Sequence, residues 1–302
     1  MTPPTAQVKE KQTVVCYNAM LTHVTFSKYR ATKLDKDAGE EFAKQKNANA
    51  AMVTVSKKLL EKGALQEFDQ VERRFKKWWK LHSMPWSQES VRILPNEFHF
   101  EFVKEYNECK DLWDKATENF LKKFPSLVKQ AKSMGGDFLK DEYYPTVTEL
   151  KTKFDFSYSL GPIPQGVNFA ADKLNESDIR RIQKDIDKKA TEATEKAIDT
   201  ILVRFIKPLN HLVEKLGTYK ADPDNEGATK FHESMITNIE ELLDVVSVLN
   251  LTGNKQIEKL TYKMAKDITS YDADTLREDD AVRAKVLDST KEILQKIDDY
   301  FS

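Results

Sequence analysis

The feature that most constrains the fold is a set of apolar residues that recur at every third or fourth position over long stretches. This spacing places them on one face of an α-helix, which can then be buried. Only nine of the 302 residues are glycine, so little interrupts these runs. The two longest stripes comprise Phe98, Phe102, Tyr106, Cys109, Trp113, Ala116, Phe120, Phe124, Leu127 and Ala131, and then Ile179, Ile182, Ile186, Ala190, Ala193, Ala197, Ile201, Phe205, Leu209, Leu212 and Leu216.

The second stripe predicts a helix over about 176–217, with Asn175 or Ser177 as its N-cap. Pro125 is expected to kink or interrupt the first helix, and Pro208 to bend the second. The polar segment 221–227 predicts a loop before a C-terminal set of helices. The stripes of that set comprise Phe231, Met235, Ile239, Leu242, Val246 and Leu249, then Ile257, Leu260, Met264 and Ile268, and finally Val282, Val286, Ile293, Ile297 and Tyr300.

Four segments favour β-strands because they are rich in β-branched or aromatic residues: 13–26, 52–55, 91–94 and 154–160. The first predicts one long strand, or two joined by an irregularity near Asn18. The last alternates strictly between apolar and polar residues, which is typical of a strand with one buried face. We therefore predict an α+β fold, mostly α, with long helical hairpins or a bundle of coiled-coil kind and a small antiparallel β-sheet.

Two regions of different character follow from these patterns. Residues 1–172 are predicted to form a mixed α/β region with the small sheet and one long helix, and residues 173–302 a helical region. Charge is also unevenly divided, although 48 Lys and Arg nearly balance 49 Asp and Glu. Residues 1–92 hold 17 Lys and Arg against 10 Asp and Glu, a net charge of +7, and the remainder carries −8. The near-zero total excludes a globally basic nucleic-acid binder and leaves local basic patches open.

The composition predicts a cytoplasmic protein without a membrane partner. Cys16 and Cys109 form no CxxC pair, so neither a disulfide framework nor a zinc site is expected. No window approaches the roughly 18 apolar residues of a membrane-spanning helix, and the N-terminus lacks the pattern of a secretory signal. No phosphate-binding loop or nucleophile elbow is present, and the histidines are isolated from one another. We therefore predict no catalytic, cofactor-binding or metal-binding residues and no cofactor.

One segment combines cations with aromatic rings, and we call it the basic-aromatic segment. Lys and Arg can contact phosphates while Trp stacks on bases, so this segment is the candidate for nucleic-acid binding. In the alternative interpretation, the tryptophans share a helix face with Val71 and Phe75 and belong to the core, and the cations are the solvated side. The candidate residues are Arg73, Arg74, Lys76, Lys77, Trp78, Trp79 and Lys80.

Several short segments follow one another in a recognisable order along the chain. They are Asn18 to Ser27, Ser56 to Leu60, Arg92 to Pro95, Phe154 to Phe156, Phe231 to Ser234, Leu249 to Gly253 and Leu276 to Asp280. In this order the chain resembles a family of uncharacterised, mostly helical proteins of bacteriophages and some bacteria, over roughly residues 15–300 and without a catalytic motif. The resemblance implies a phage or bacterial cytoplasmic origin, in the host cytoplasm if the chain is phage-encoded. It also implies neighbouring genes for a hexameric ATPase and an integrin-type adhesion-domain protein.

Long amphipathic helices can bury their stripes in an internal core or present them to a partner. We expect a non-enzymatic interaction protein, an adaptor or assembly component, whose partner is another protein, either an ATPase or a second copy of the chain. The alternative is a nucleic-acid-binding protein that uses the basic-aromatic segment. An enzyme is the third hypothesis, because its residues would have to be assembled from distant segments.

Overall fold

A computed structural model describes residues 15–86, 90–219 and 232–302. The predicted fold class is confirmed, because the chain is α+β and mostly helical with small antiparallel sheets. Among the described residues, the helices of five or more residues are α1 (Lys36–Gln45), α2 (Gln66–Leu81), α3 (His99–Gly135), α4 (Val147–Lys151), α5 (Glu176–Thr218), α6 (Ser234–Leu249), α7 (Lys255–Asp267), α8 (Ala273–Glu278) and α9 (Asp280–Phe301). The strands are β1 (Ala19–Ser27), β2 (Thr32–Leu34), β3 (Ser56–Lys58), β4 (Met84–Pro85), β5 (Val91–Pro95) and β6 (Asp155–Gly161).

Strand order in the larger sheet is β4-β5-β1-β6, and the smaller sheet pairs β2 with β3. β1 and β5 are antiparallel, with a register that runs from Ala19 opposite Pro95 to His23 opposite Val91. The strands predicted over 91–94 and 154–160 are therefore confirmed, as is their place beside the first strand. Alternation identified β6 correctly because its residue Phe156 is fully buried while its neighbours are not.

Two strand predictions are wrong in part. Residues 15–18 are helical, and β1 begins only at Ala19, although 13–26 was expected to be extended. Val15 is buried in a helical core, and Asn96 donates a hydrogen bond of 2.9 Å to the Tyr17 carbonyl, so tertiary contacts override the local β propensity. Residues 13 and 14 lie outside the described residues.

The segment 52–55 is not a strand either. Residues Ala50–Met52 form a 3₁₀ turn, which the Asn49 side chain caps by accepting a hydrogen bond from the Ala51 N–H. The extended residues are Ser56–Lys58 immediately after it, and they pair with Thr32–Leu34 in the separate small sheet. The turn capped by Asn49 therefore includes the first residue of the predicted strand, and the observed strand begins a few residues later.

The predicted helices are observed with their expected ends. Asn175 caps α5 by accepting a hydrogen bond of 2.9 Å from the Asp178 N–H, and Asp279 caps α9 in the same way. Pro125 and Pro208 lie inside helices that continue past them, so Pro125 does not end α3. The loop predicted at 221–227 and the stripe residue Phe231 lie outside the described residues.

The chain forms two compact units, each built from separated segments. Unit 1 comprises residues 1–23, 80–99 and 160–302, and unit 2 comprises residues 24–79 and 100–159. The division predicted at residue 172 concerns regions of different sequence character, and it stays a prediction. Among the described residues, no helix combines the length and the apolar character that a membrane span requires.

The core of unit 2 is aromatic. Phe26 stacks on Phe156 with ring centroids 4.4 Å apart, and Phe68 meets Trp113 edge-on at 5.0 Å. Edge-to-face and offset pairs of this kind add directional preference to simple burial. The cluster comprises Phe26, Phe68, Phe75, Phe102, Tyr106, Trp113, Phe120, Phe154, Phe156 and Tyr158.

The core of unit 1 is mainly aliphatic. It lies between the second half of α5 and the helices α6 to α9, whose stripes point inward as predicted. Phe205 is its one fully buried ring among the described residues. The other fully buried residues of the stripes include Leu209, Leu212, Val246, Met264, Ile268, Val286, Ile293 and Ile297.

Candidate functional site

The basic-aromatic segment lies in the second half of α2. Phe75 and Trp79 are almost fully buried, with 0% and 3% of their surface exposed, and Val71 lies on the same face at 7%. Phe75 contacts Phe102 and Phe156 in the aromatic core of unit 2. This face of the helix therefore belongs to the core, as the alternative interpretation of the segment expected.

Two of the five cations of the segment are engaged by carboxylates. The Arg74 guanidinium makes a two-pronged contact with Glu105, through Nε at 2.8 Å and Nη2 at 3.0 Å, and a further contact of 2.6 Å with Glu108. The hydrogen bonds that Arg74 donates to these carboxylates raise the pKa of its guanidinium. Lys76 pairs with Glu72 at 2.5 Å and lies above the Phe26 ring. Both cations therefore link elements of unit 2.

Arg73, Lys77 and Lys80 are exposed, and no ion pair joins them to the described residues. Trp78 is partly buried, with its ring centroid 6.2 Å from that of Phe102. Of the seven candidate residues, the structure thus leaves three cations at the surface, pairs two, and places Trp79 in the core. The nucleic-acid hypothesis stays a prediction, and it depends on the exposed cations.

Two arginines in unit 1 form a site that the sequence did not indicate. Arg204 on α5 donates to the carbonyl oxygens of Leu81 and Ser83, both at 2.6 Å. Arg92 on β5 donates to Ser83 Oγ at 2.7 Å and to the Ser83 carbonyl at 2.8 Å. These carbonyls belong to the last residue of α2 and the turn after it, where helix carbonyls lack intrahelical partners and carry partial negative charge.

Burial lowers the pKa of Arg92 to about 10, and burial together with the positive charge of Arg92 lowers that of Arg204 to about 10. The two guanidiniums therefore act as C-terminal caps of α2 in a setting that disfavours their charge. A charged residue inside an otherwise apolar strand, Arg92 in β5, was the available signal. Nothing in the sequence joined it to Arg204.

The first half of α5 differs from the second. Its stripe residues Ile179, Ile182 and Ile186 are only partly buried, whereas Ala197 and Ile201 farther along the same face are 3% and 1% exposed. We call these three isoleucines the α5 isoleucine stripe. Their spacing of three and four places them in one row on the helix.

A cavity of about 400 Å³ lies in unit 1 between α5 and the start of α6. Helix α5 lines it with Pro208, His211 and Lys215, which recur at intervals of three and four residues. His232, Ser234, Met235 and Asn238 also line it. Most of these side chains are hydrogen-bond donors, and no carboxylate belongs to the lining among the residues that the structure describes.

Cys109 is fully buried, and burial raises the pKa of its thiol to about 12. Its Sγ lies 3.4 Å from Glu105 Oε1, so it behaves as a small buried residue rather than a nucleophile. Within the described ranges, no group of three or more His, Cys, Asp or Glu residues is arranged to hold a metal ion.

Comparison of the chain with protein-family models, with characterised proteins and with solved structures finds no match. The resemblance to phage and bacterial proteins therefore stays a prediction. Function has to be inferred from the geometry and charge of the surfaces described above.

Proposed function

We propose that this chain is a non-enzymatic adaptor or assembly protein that binds a partner protein through the first half of α5. The observation that carries the proposal is the α5 isoleucine stripe, an apolar row that lies outside the buried core of unit 1. The part of their apolar surface that stays exposed contributes nothing to stability, whereas its burial against a partner stabilises by about 25 cal/mol per Å².

The first half of α5 is stabilised locally. Four ion pairs at helical spacing join its charged side chains, among them Lys189 with Asp185 at 2.9 Å and Arg181 with Asp178 at 3.0 Å. Such pairs support a helix without help from a core. This segment can therefore keep its helical form while its apolar row remains accessible.

One flank of this segment is covered by the connector before it. The Gly166 N–H donates to Asp187 at 2.8 Å, and Gln183 donates to the Phe169 carbonyl at 3.0 Å. A Cβ at position 166 would lie 2.3 Å from the Gln183 carbonyl oxygen, so only glycine allows this approach. The connector thus fixes the polar flank of α5, and the isoleucines remain only partly buried.

The partner that fits this row is an amphipathic helix, which would pack along the isoleucines in coiled-coil fashion. The family resemblance favours an ATPase as its source, in the cytoplasm of a bacterium or of a phage-infected cell. A second copy of this chain is the other source. Apolar positions at intervals of three and four are the pattern that such pairing requires.

The proposal is tested with the full chain carrying Ile182→Asp, compared with Lys184→Asp on the opposite, exposed face of the same helix. Affinity purification from the bacterial host or infected cells, followed by mass spectrometry, identifies an ATPase or other protein partner. Light scattering of the purified chain detects a second copy. We expect Ile182→Asp to lose the partner or the oligomer and Lys184→Asp to keep it.

A wild-type chain that is monomeric and recovers no partner in repeated purifications would contradict the proposal. Equal binding by both variants would place the interface elsewhere and would also contradict it. Circular dichroism of each variant establishes that any loss does not reflect loss of the helix.

A second candidate function is nucleic-acid binding through α2. The observation that favours it is the exposure of Arg73 and Lys77, which lie four residues apart and so share a helix face. Arg74 and Lys76 provide a matched control, because carboxylates already engage them.

Replacing Arg73 and Lys77 by Gln should weaken binding to single-stranded DNA. The slope of log affinity against log salt concentration should also become less steep, by the amount expected for the loss of about two phosphate contacts. Neutralising Arg74 and Lys76 should change affinity much less. Fluorescence anisotropy across a salt series measures both effects. Binding that is absent, or insensitive to salt, would end this alternative.

A further inference from the structure

We infer that the cavity between α5 and the start of α6 binds a small phosphate-bearing molecule. The lining gathers three side chains that are cationic or can become so: His211 and Lys215 from α5, and His232 from the turn before α6. Ser234 and Asn238 add neutral hydrogen-bonding groups. This inference does not depend on the α5 isoleucine stripe.

The electrostatic setting favours an anion. Lys215 is partly buried and forms no ion pair with the described residues. His211 has a carboxylate in its neighbourhood, because Glu214 lies 4.0 Å from its Nδ1. Glu233 is exposed between His232 and Ser234. Neither carboxylate lines the cavity, and both are exposed, so solvent screens their charges.

Helix α6 adds to this field. It is 16 residues long, and its first residues, Ser234 and Met235, line the cavity. No side chain caps this helix at Glu233. The positive end of the helix dipole therefore borders the same space as the cationic side chains, and it reinforces their attraction for a phosphate.

The size and the walls of the cavity indicate more than an inorganic ion. Its volume of about 400 Å³ lies in the range of small-molecule sites. Pro208 and Met235 supply apolar surface, which we call the apolar wall of the cavity. A ligand with a phosphate at one end and an uncharged, partly apolar body at the other would match both surfaces.

Titration calorimetry with inorganic phosphate and with phenyl phosphate, at constant ionic strength, tests this inference on the full chain. Phenyl phosphate should bind more tightly than inorganic phosphate, because it also contacts the apolar wall. Lys215→Met should weaken phenyl phosphate binding by about tenfold or more. Lys207→Met is the matched control, since Lys207 is exposed on the same helix outside the lining, and it should change affinity by less than about twofold.

Resonance shifts in a ¹H–¹⁵N spectrum should concentrate at residues 211–215 and 232–238. His232→Gln provides a second variant if Lys215→Met does not fold, and it should weaken binding several-fold. The inference is overturned if neither probe binds, if Lys207→Met costs as much as Lys215→Met, or if the shifts lie elsewhere. Equal affinity for the two probes would contradict the inference that the ligand has an uncharged, partly apolar body beside its phosphate.

Discussion

The two units of this protein have hydrophobic cores of different composition. Unit 2 packs aromatic rings from β1, α2, α3 and β6, whereas unit 1 packs mainly leucine, isoleucine, valine and alanine from five helices. Aromatic rings prefer particular angles to one another, while aliphatic side chains interlock between helix surfaces. Directional ring contacts therefore characterise the core of unit 2, and interlocking helix stripes characterise that of unit 1.

The polar groups inside the two cores differ as well. In unit 2, Tyr29 Oη and Trp113 Nε1 are buried without a hydrogen-bond partner among the described residues, and in unit 1 the same holds for Thr252 Oγ1. In unit 1, Arg92 and Arg204 are satisfied by carbonyls at the end of α2. Aromatic residues bring polar atoms into a core that has few partners for them, whereas the arginines have acceptors provided by a helix end.

The largest expected loss of stability comes from a substitution in the aromatic core of unit 2. Phe75→Ala should destabilise unit 2 by about 3–5 kcal/mol, because the side chain is fully buried among rings that cannot close the gap. Denaturant unfolding measures this loss. Each unit also holds one cysteine, so thiol labelling should show faster reaction of Cys109 in the variant and an unchanged rate at Cys16. Equal acceleration at both thiols would mean that the two cores unfold together.

Removing one buried arginine comes next. Arg204→Met keeps the length of the side chain but leaves the Leu81 and Ser83 carbonyls without these donors, at a cost on the order of 3 kcal/mol. Val203→Met, at an exposed neighbouring position, is the control. Thermal unfolding checks the difference between the two variants. A stability unchanged by Arg204→Met would show that the guanidinium does not act as a cap.

A smaller effect, of opposite sign, is expected from Tyr29→Phe. Burial raises the pKa of Tyr29 to about 12, and its hydroxyl lacks a partner in the described chain. Removing that hydroxyl removes an uncompensated desolvation penalty, so the variant should be as stable as the wild type or more stable by about 1 kcal/mol. A clear loss of stability in chemical denaturation would mean that the hydroxyl does have a partner.

The smallest effect appears only in acid. Hydrogen bonds from Lys263 and Lys296 lower the pKa of Glu292 to about 2 from an ordinary value of 4.5. A carboxylate whose pKa is lower in the folded state contributes stability that is present above 4.5 and disappears as the pH falls towards 2. Glu292→Gln lacks this contribution throughout. Its melting temperature should therefore fall less steeply than that of the wild type across this interval.

The helices could be predicted from sequence because their information is local. The stripe of α5 and the N-cap at Asn175 are both contained within a few turns of one segment. The aromatic core could not be assembled in this way, since Phe26, Phe75 and Phe156 come from three distant segments. Residues 15–18, which were expected to be extended, are helical for the same reason, because Asn96 donates a hydrogen bond to the Tyr17 carbonyl from far along the chain.

The candidate sites also differ in how far the sequence could predict them, depending on whether their residues are adjacent or come from distant segments. Sequence identified the basic-aromatic segment because its residues are adjacent, and it also gave the helical spacing that puts Phe75 and Trp79 in the core. It did not indicate which cations pair, because Glu105 and Glu108 belong to another helix. The Arg92–Arg204 site and the cavity at His211 and His232 likewise need a chain already folded.

The nested order of the two units has a consequence for biosynthesis. Unit 2 lies entirely within residues 24–159, whereas unit 1 needs both the segments before it and residues 160–302. The ribosome synthesises the chain from its N-terminus, and compact units generally fold once all of their residues have left the ribosome. The aromatic unit can therefore form while synthesis continues. The N-terminal part of the aliphatic unit must wait, with Val15 and Ala19 uncovered, until α5 to α9 have emerged. This interval is when the nascent protein is most exposed to aggregation and to chaperones.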